Sequence, residues 1–386
     1  RVGDLFTLGT NTQPDYFPWP GDHGGPTAVA VDETGMYIGA SCGETVPTLI
    51  KQTLDGSKRL FTRHGYEAWQ GAAKLELDGG RLYMLQGNGK VQVLDPADGK
   101  KLATLPQMLS PALRLDFDHA GSPTAEGWRS VPLAAYDKAR GWGWLDAAGV
   151  TSADAGSGDA LRRDGHGSAD RGRKTFLLDL PDGRHTLRVF WGGADRPCEK
   201  MELWVGGNWR ANVTASTAAG EVASTELEVE VSGGQLDLHF TNAADAEPGW
   251  AVRGLEVLDH LARTAVRGGR MVAVFPRAER IRWLDPKDGS TLEEGPLAAP
   301  RDVALLADGT ALAISGEKVV SVARGGGAPV ERIGGLTAPQ RITIDGRTGE
   351  IFVVEGGESR QIKRFGPDYA LRKVHGRQRD RPDEGL

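Results

Sequence analysis

Cysteine is nearly absent from this 386-residue chain, which has two. Cys42 and Cys198 fall in segments that read as different domains. No disulfide between them is expected, and two cysteines cannot build a zinc site. No apolar run approaches the roughly 20 residues that a membrane-spanning helix requires. Long basic runs are missing too. The net charge is −6, and the C-terminal Arg377, Arg379 and Arg381 are offset by Asp380, Asp383 and Glu384. Nucleic acid is therefore not an expected partner. The chain opens on Arg1 with no signal peptide, which reads as a mature form or an excised fragment. GxSxG, HExxH, P-loop and GxGxxG contexts are lacking. The 52 acidic residues offer too many pairs to single out a glycosidase couple.

Turn formers, by contrast, are abundant, with 54 glycines and 21 prolines punctuating short segments. That favours an all-β protein of many short strands. Five segments share one layout of strands and Asp/Gly turns: Thr27 to Gly56, Ala73 to Gly99, Met271 to Gly289, Arg301 to Gly326 and Arg341 to Asp368. Each alternates apolar and polar residues, as half-buried strands do. Asp, Gly or Asn stands between strands, where positive φ or Asx turns are needed. The turn at Asp55 precedes that at Asp98 by 43 residues, and Asp288 precedes Asp368 by 80, or two periods. A four-stranded propeller blade has about this length, roughly 40–50 residues.

Asp98 and Asp288 are 190 residues apart. Removing an insert from Leu113 to Leu258 leaves one blade length. The expected architecture is thus a β-propeller of five to six blades, interrupted by an antiparallel β-sandwich of jelly-roll type. Residues 1–112 supply the first part of the propeller, 113–258 the insert and 259–386 the second part. The insert is expected to interrupt the third blade after its first strand, Lys101 to Leu105. Tyr369 to Gly376 would open a further blade, to which the N-terminal LFTLGTN could add a strand.

Inside the insert, the runs RKTFLLDLPDGRHTLRVFWGG, MELWVGG and LEVEVSGGQLDLHF alternate and are joined by Asp-Gly and Gly-Gly turns. That is an antiparallel sandwich pattern. Its motifs appear in a fixed order. Leu115-Asp116-Phe117-Asp118 comes first, then Trp128 and Val131, then Gly141-Trp142-Gly143-Trp144. Asp159 to Asp164, Phe176 to Gly183 and Trp250 to Val257 follow. In that order they resemble the galactose-binding-like β-sandwich found beside rhamnogalacturonan acetylesterases, agarases and other polysaccharide-degrading enzymes. The resemblance spans nearly the whole insert. It implies a polysaccharide or oligosaccharide partner and an extracellular or periplasmic location. The propeller half resembles bacterial propellers of NHL or YWTD layout in arrangement only.

Sugar rings stack their C–H faces on aromatics, while carboxylates and amides bind their hydroxyls. Trp142, Trp144, Trp191, Trp204, Trp209 and Trp250 are dense in the insert. Trp144, Trp204 and Trp250 fit a sandwich core. Trp142, and Trp209 with Asn208 and Arg210 in a turn-rich run, are the candidate ligand contacts. No cofactor is required, but a structural calcium is compatible with the scattered Asp116, Asp118, Asp159, Asp164 and Asp179. The first three are the candidate ligands.

In the propeller, WPGDHGGP and FTRHGYEAWQG place His23, Arg63, His64, Tyr66 and Glu67 between strands. A polysaccharide lyase needs a cation to neutralise the uronate, a base for the C5 proton and an acid for the leaving oxygen. Arg63, His64 or His23, and Tyr66 could supply these in turn, although a histidine in a glycine-rich turn is more often a solvated turn residue. The residues thus lead first to a carbohydrate-binding module or scaffold within a larger protein. The alternatives are a polysaccharide lyase or hydrolase with its site on the propeller axis, and a protein-interaction propeller. An aromatic cluster at the propeller mouth would favour the enzyme, and a plugged mouth the scaffold.

Overall fold

The computed structural model describes residues 26–40, 49–63, 72–86, 89–154, 160–170, 172–193, 196–206, 213–325, 327–357 and 359–376. The chain divides into two compact units, one of residues 1–108 with 260–386 and one of 109–259. Among the described residues no helix is long and apolar enough to cross a membrane.

The first unit begins with two four-stranded antiparallel sheets. One comprises β1 (Pro26–Asp32), β2 (Gly35–Ala40), β3 (Leu49–Gln52) and β4 (Arg59–Arg63). The next comprises β5 (Ala72–Asp78), β6 (Arg81–Gln86), β7 (Val91–Leu94) and β8 (Lys101–Leu105).

The second unit follows as a sandwich of two sheets. Its strands are β9 (Leu109–Asp116), β10 (Arg129–Ser130), β11 (Trp142–Trp144), β12 (Thr151–Asp154), β13 (Asp164–Ser168), β14 (Lys174–Asp179), β15 (Gly183–Trp191), β16 (Cys198–Val205), β17 (Val213–Thr217), β18 (Ala223–Val231), β19 (Gln235–Asn242) and β20 (Trp250–His260). A single short helix, α1 (Ala160–Arg163), precedes β13. One sheet orders β10-β9-β20-β13-β12, with β15 joining β20 and β18; the other orders β11-β14-β19-β16-β17.

The chain then returns to the first unit for three more four-stranded meanders. They are β21 (Arg263–Arg267) to β24 (Thr291–Pro296) through β22 (Arg270–Phe275) and β23 (Arg280–Leu284); β25 (Pro300–Leu305) to β28 (Val330–Ile333) through β26 (Ala311–Ser315) and β27 (Lys318–Val322); and β29 (Pro339–Ile344) to β32 (Leu371–His375) through β30 (Ile351–Glu355) and β31 (Ile362–Phe365).

Strand burial follows the sequence pattern. In β18, Leu227, Val229 and Val231 are buried while Glu226, Glu228 and Glu230 are exposed, the period of two expected of a half-buried strand. In β22 Met271 to Phe275 are all buried, because this sheet is covered on both faces. Apolar clusters join consecutive sheets: Tyr37, Leu49 and Leu75 between the first two, Leu85, Val91 and Ala273 between the second and third. Val274 and Val303, then Leu312 and Ile351, continue the series. Fully burying one such side chain contributes about 1.5–3 kcal/mol. The fold is an all-β propeller with five four-stranded sheets among the described residues, carrying a β-sandwich insert.

Two expected features are corrected. Lys101–Leu105 does not open the third sheet; as β8 it closes the second, pairing Leu105 with Val91. The Asp95–Gly99 turn, with the Asp95 amide donating to the Lys100 carbonyl at 2.8 Å, folds β8 back onto β7. Asp285–Gly289 does the same between β23 and β24. The recurring Asp/Gly turn is therefore a hairpin within a blade, not a blade's end. Leu371–His375 likewise closes the fifth sheet. The sandwich thus sits between two complete sheets of the chain, not inside one. The LFTLGTN segment lies outside the described residues.

Candidate functional site

Several expected site residues, namely His23, His64, Tyr66, Glu67, Asp159, Asn208, Trp209 and Arg210, lie outside the described residues, as does Cys42. Arg63 ends β4, the last strand in its sheet's order, and its guanidinium stands 3.8 Å from Asp98. It does not line the propeller cavity. Cys198 is buried in the sandwich core as a free thiol.

The first strands of all five sheets, β1, β5, β21, β25 and β29, border one cavity of about 540 Å³. Lys74 on β5 donates to the Val303 carbonyl at 2.8 Å and lies 3.3 Å from Asp302 and 3.2 Å from Glu76. Asp302 is buried and accepts the Val303 and Ile342 amides, each at 2.9 Å. Three blades are thereby tied at one carboxylate. Burial pulls the Lys74 ammonium down, but Asp302 and Glu76 outweigh it and raise its pKa. Burial drives the Glu76 carboxyl up despite Lys74. Among the described residues lining the cavity, Phe352 is the only aromatic side chain.

A second cluster lies in the sandwich. Trp142, Gly143 and Trp144 form β11, and Gly143 adopts φ +148°. A Cβ there would stand 2.5 Å from the Tyr136 Cα. Glycine thus lets the Ala134–Asp137 backbone lie against β11, with the Tyr136 amide donating to the Trp144 carbonyl at 2.8 Å. That placement brings the Tyr136 hydroxyl to within 2.9 Å of Asp179. Gln235 Nε2 donates to the same carboxylate at 2.8 Å, and Lys138 Nζ lies 3.3 Å away. Burial would raise the Asp179 carboxyl, but these donors hold it below the usual carboxylate range. Trp142 is half-buried at the rim of the core; its Nε1 has no hydrogen-bond partner among the described residues, and the Arg129 guanidinium stands over its ring at 5.9 Å.

Trp144 and Trp250 are fully buried in the core. Trp204 corrects the expectation that it joins them. On β16, Met201, Leu203 and Val205 face inward, so Trp204 faces out, with Arg173 over its ring at 4.5 Å.

The third cluster is acidic. Asp116 ends β9, Asp118 follows two residues later and Asp164 starts β13; one carboxylate oxygen from each lies within 4.8 Å of the others. Among the described residues Asp164 joins the expected pair, Asp159 lying outside them. All three are buried. Burial first, then Asp118 and Asp164, push the Asp116 carboxyl up to about 7 against the Ala125 amide. Buried His166 lies alongside, its Nε2 3.1 Å from the Asp118 carbonyl; burial pushes the imidazole down to about 4. Tyr136, Lys138 and Gln235 escaped the sequence reading. Only the glycine between two tryptophans hinted that a second segment approaches there.

No family model matches the chain, and no curated protein matches it. Among solved structures, the protein YxiM of Bacillus subtilis is 23% identical over 41% of this chain, with a TM-score of 0.32, and the chain spans 43% of that protein's length. BamB from Moraxella catarrhalis is 14% identical over 91% of this chain and 77% of its own, with a TM-score of 0.35. An exo-β-1,3-galactanase from Phanerochaete chrysosporium is 10% identical over 61% of this chain and 57% of its own, with a TM-score of 0.22.

Proposed function

We propose that the chain is a carbohydrate-binding scaffold of a bacterial polysaccharide-processing system, acting outside the cytoplasm as part of a larger protein. The sandwich captures an oligosaccharide or polysaccharide and the propeller carries it. The observation that supports this reading is the Asp179 cluster. The Tyr136 ring stands beside a carboxylate already oriented by an amide and an ammonium, and Trp142 lies half-buried on the adjoining strand, paired with Leu178. Such a set offers stacking area together with acceptors and donors for ring hydroxyls. Trp209, Asn208 and Arg210 remain candidate contacts of the same glycan. The cofactor in this reading is a structural calcium on the sandwich. A non-catalytic role for the propeller fits a cavity whose Lys74 is engaged by Asp302, Glu76 and the Val303 carbonyl.

The test is a panel of neutral and acidic polysaccharides, scored by melting-temperature shift and by release of reducing ends or unsaturated uronate. Binding without turnover supports the scaffold. Turnover would replace it with an enzyme on the propeller axis, and silence across the panel would favour a protein-interaction propeller.

A further inference from the structure

Asp116, Asp118 and Asp164 are 0%, 5% and 0% exposed. Each uses one carboxylate oxygen to accept a hydrogen bond. Asp116 Oδ2 takes the Ala125 amide at 2.7 Å, Asp118 Oδ2 the Thr124 hydroxyl at 2.7 Å and Asp164 Oδ2 the His119 amide at 2.9 Å. The other oxygen of each, Oδ1, is buried without a hydrogen-bond partner among the described residues. Three unpartnered oxygens on three neighbouring buried carboxylates repel one another and have lost their water. A cation removes both penalties at once.

We propose that these three Oδ1 atoms are ligands of one divalent cation of the calcium class. Among the described residues the group offers carboxylate oxygens alone, with no imidazole or thiolate, which suits calcium and not zinc. Calcium takes oxygens at about 2.3–2.6 Å, so two of its ligands can stand up to about 5 Å apart. One carboxylate oxygen from each of the three residues lies within 4.8 Å of the others, inside that span. The remaining oxygens are already held by the Ala125 and His119 amides and the Thr124 hydroxyl. The carboxylates are thus oriented in advance, as supporting hydrogen bonds orient metal ligands generally.

The inference deepens the structural-calcium part of the proposed function and does not depend on the glycan. It also gives the ion a task. All three ligands are hydrogen-bonded to the segment between β9 and β10, through His119, Thr124 and Ala125. That segment runs on into Arg129, whose guanidinium stands over Trp142. Calcium fixing the segment therefore fixes one wall of the proposed glycan site.

The experiment is calcium titration of the full chain after chelator treatment, by calorimetry and by melting. One calcium per chain is expected, with a rise in melting temperature of roughly 5–10 °C at saturation. Asp118→Asn and Asp164→Asn should each abolish calcium binding. Without calcium they should melt at or above the wild-type temperature, because each removes a buried unpaired charge. Retention of calcium binding by both variants would overturn the assignment. Should either variant fail to fold, the wild-type protein decides: no rise in melting temperature at millimolar calcium overturns it. Glycan capture is measured separately, so loss of one activity leaves the other readable.

Discussion

Trp144 donates its indole N–H to Nδ1 of His166 at 3.0 Å, in a core where both side chains are fully buried. The bond fixes the tautomer. With Nδ1 accepting, His166 carries its proton on Nε2 and gives it to the Asp118 carbonyl at 3.1 Å. A tryptophan at the centre of the sandwich thereby positions the backbone of a proposed calcium ligand. Phe117 and Phe176 pack around the pair with ring centroids 5.0 to 6.2 Å apart. Trp144→Phe keeps most of that packing and leaves a buried nitrogen without its donor. The expected cost is about 1–3 kcal/mol of sandwich stability, read by urea unfolding. An unchanged midpoint would mean that the hydrogen bond contributes nothing net. Calcium affinity should weaken in parallel, because Asp118 loses its backing.

In the propeller, the position to test is Asp302. Its carboxylate accepts two backbone amides and faces Lys74 at 3.3 Å, with 1% of the aspartate side chain and 15% of the lysine exposed. Asp302→Ala takes one of two carboxylates from the Lys74 ammonium and strands two amides, and should cost about 3–5 kcal/mol. Combining Lys74→Met with Asp302→Leu should recover part of that loss, since no ammonium is left buried and Glu76, whose carboxyl burial already raises, can take up a proton. The comparison of unfolding midpoints checks it; a double variant worse than the single would refute the pairing argument.

How much of this was legible beforehand depended on range. The strands were readable because alternation is local, as the glutamates and aliphatics of β18 illustrate. The phase of the blades was not. DPADG and DPKDG mark a turn without saying which strands it joins, and only the pairing of Leu105 with Val91 settles that β8 closes a sheet. Asp116 and Asp118 were found together because they are two residues apart on one motif. Asp164 could not be singled out among the acidic residues of the insert, since its place along the chain says nothing about whether it reaches β9. The partners of Asp179 come from segments 41 to 56 residues away. No spacing rule reaches that far.

Acid should loosen the fifth blade through Glu355. Burial would raise this carboxyl, but the Lys363 ammonium at 2.7 Å, the Ser359 hydroxyl at 2.6 Å and the Thr337 amide at 2.7 Å outweigh it and lower its pKa. A folded-state value below the unfolded one means that the unfolded chain binds more protons in that window. Stability from Glu355 is therefore complete above the unfolded pKa of about 4.3 and is lost as pH falls through the depressed folded value. Glu355→Gln should lower the melting temperature at neutral pH and flatten its fall under acid. An equally steep acid limb in the variant would assign the loss to other carboxylates.

The glycan site carries the last prediction. Asp179 is the common acceptor of Tyr136, Gln235 and, at longer range, Lys138, so its charge organises the whole cluster. Asp179→Asn keeps the shape and removes the charge. Hydrogen bonds to an ionised acceptor are worth about 1.5–3 kcal/mol, so glycan affinity should fall roughly 10- to 100-fold. Tyr136→Phe, which removes one donor and keeps the ring, should weaken binding less. Trp142→Ala should weaken it through lost stacking, with Arg129 then free of its aromatic partner. Calcium binding should be unchanged in Asp179→Asn, since Asp179 is not among the three ligands. Calorimetric titration with the best glycan of the panel measures all three variants. Affinity within twofold of wild type in each would place the glycan elsewhere and direct the search to Trp209, Asn208 and Arg210.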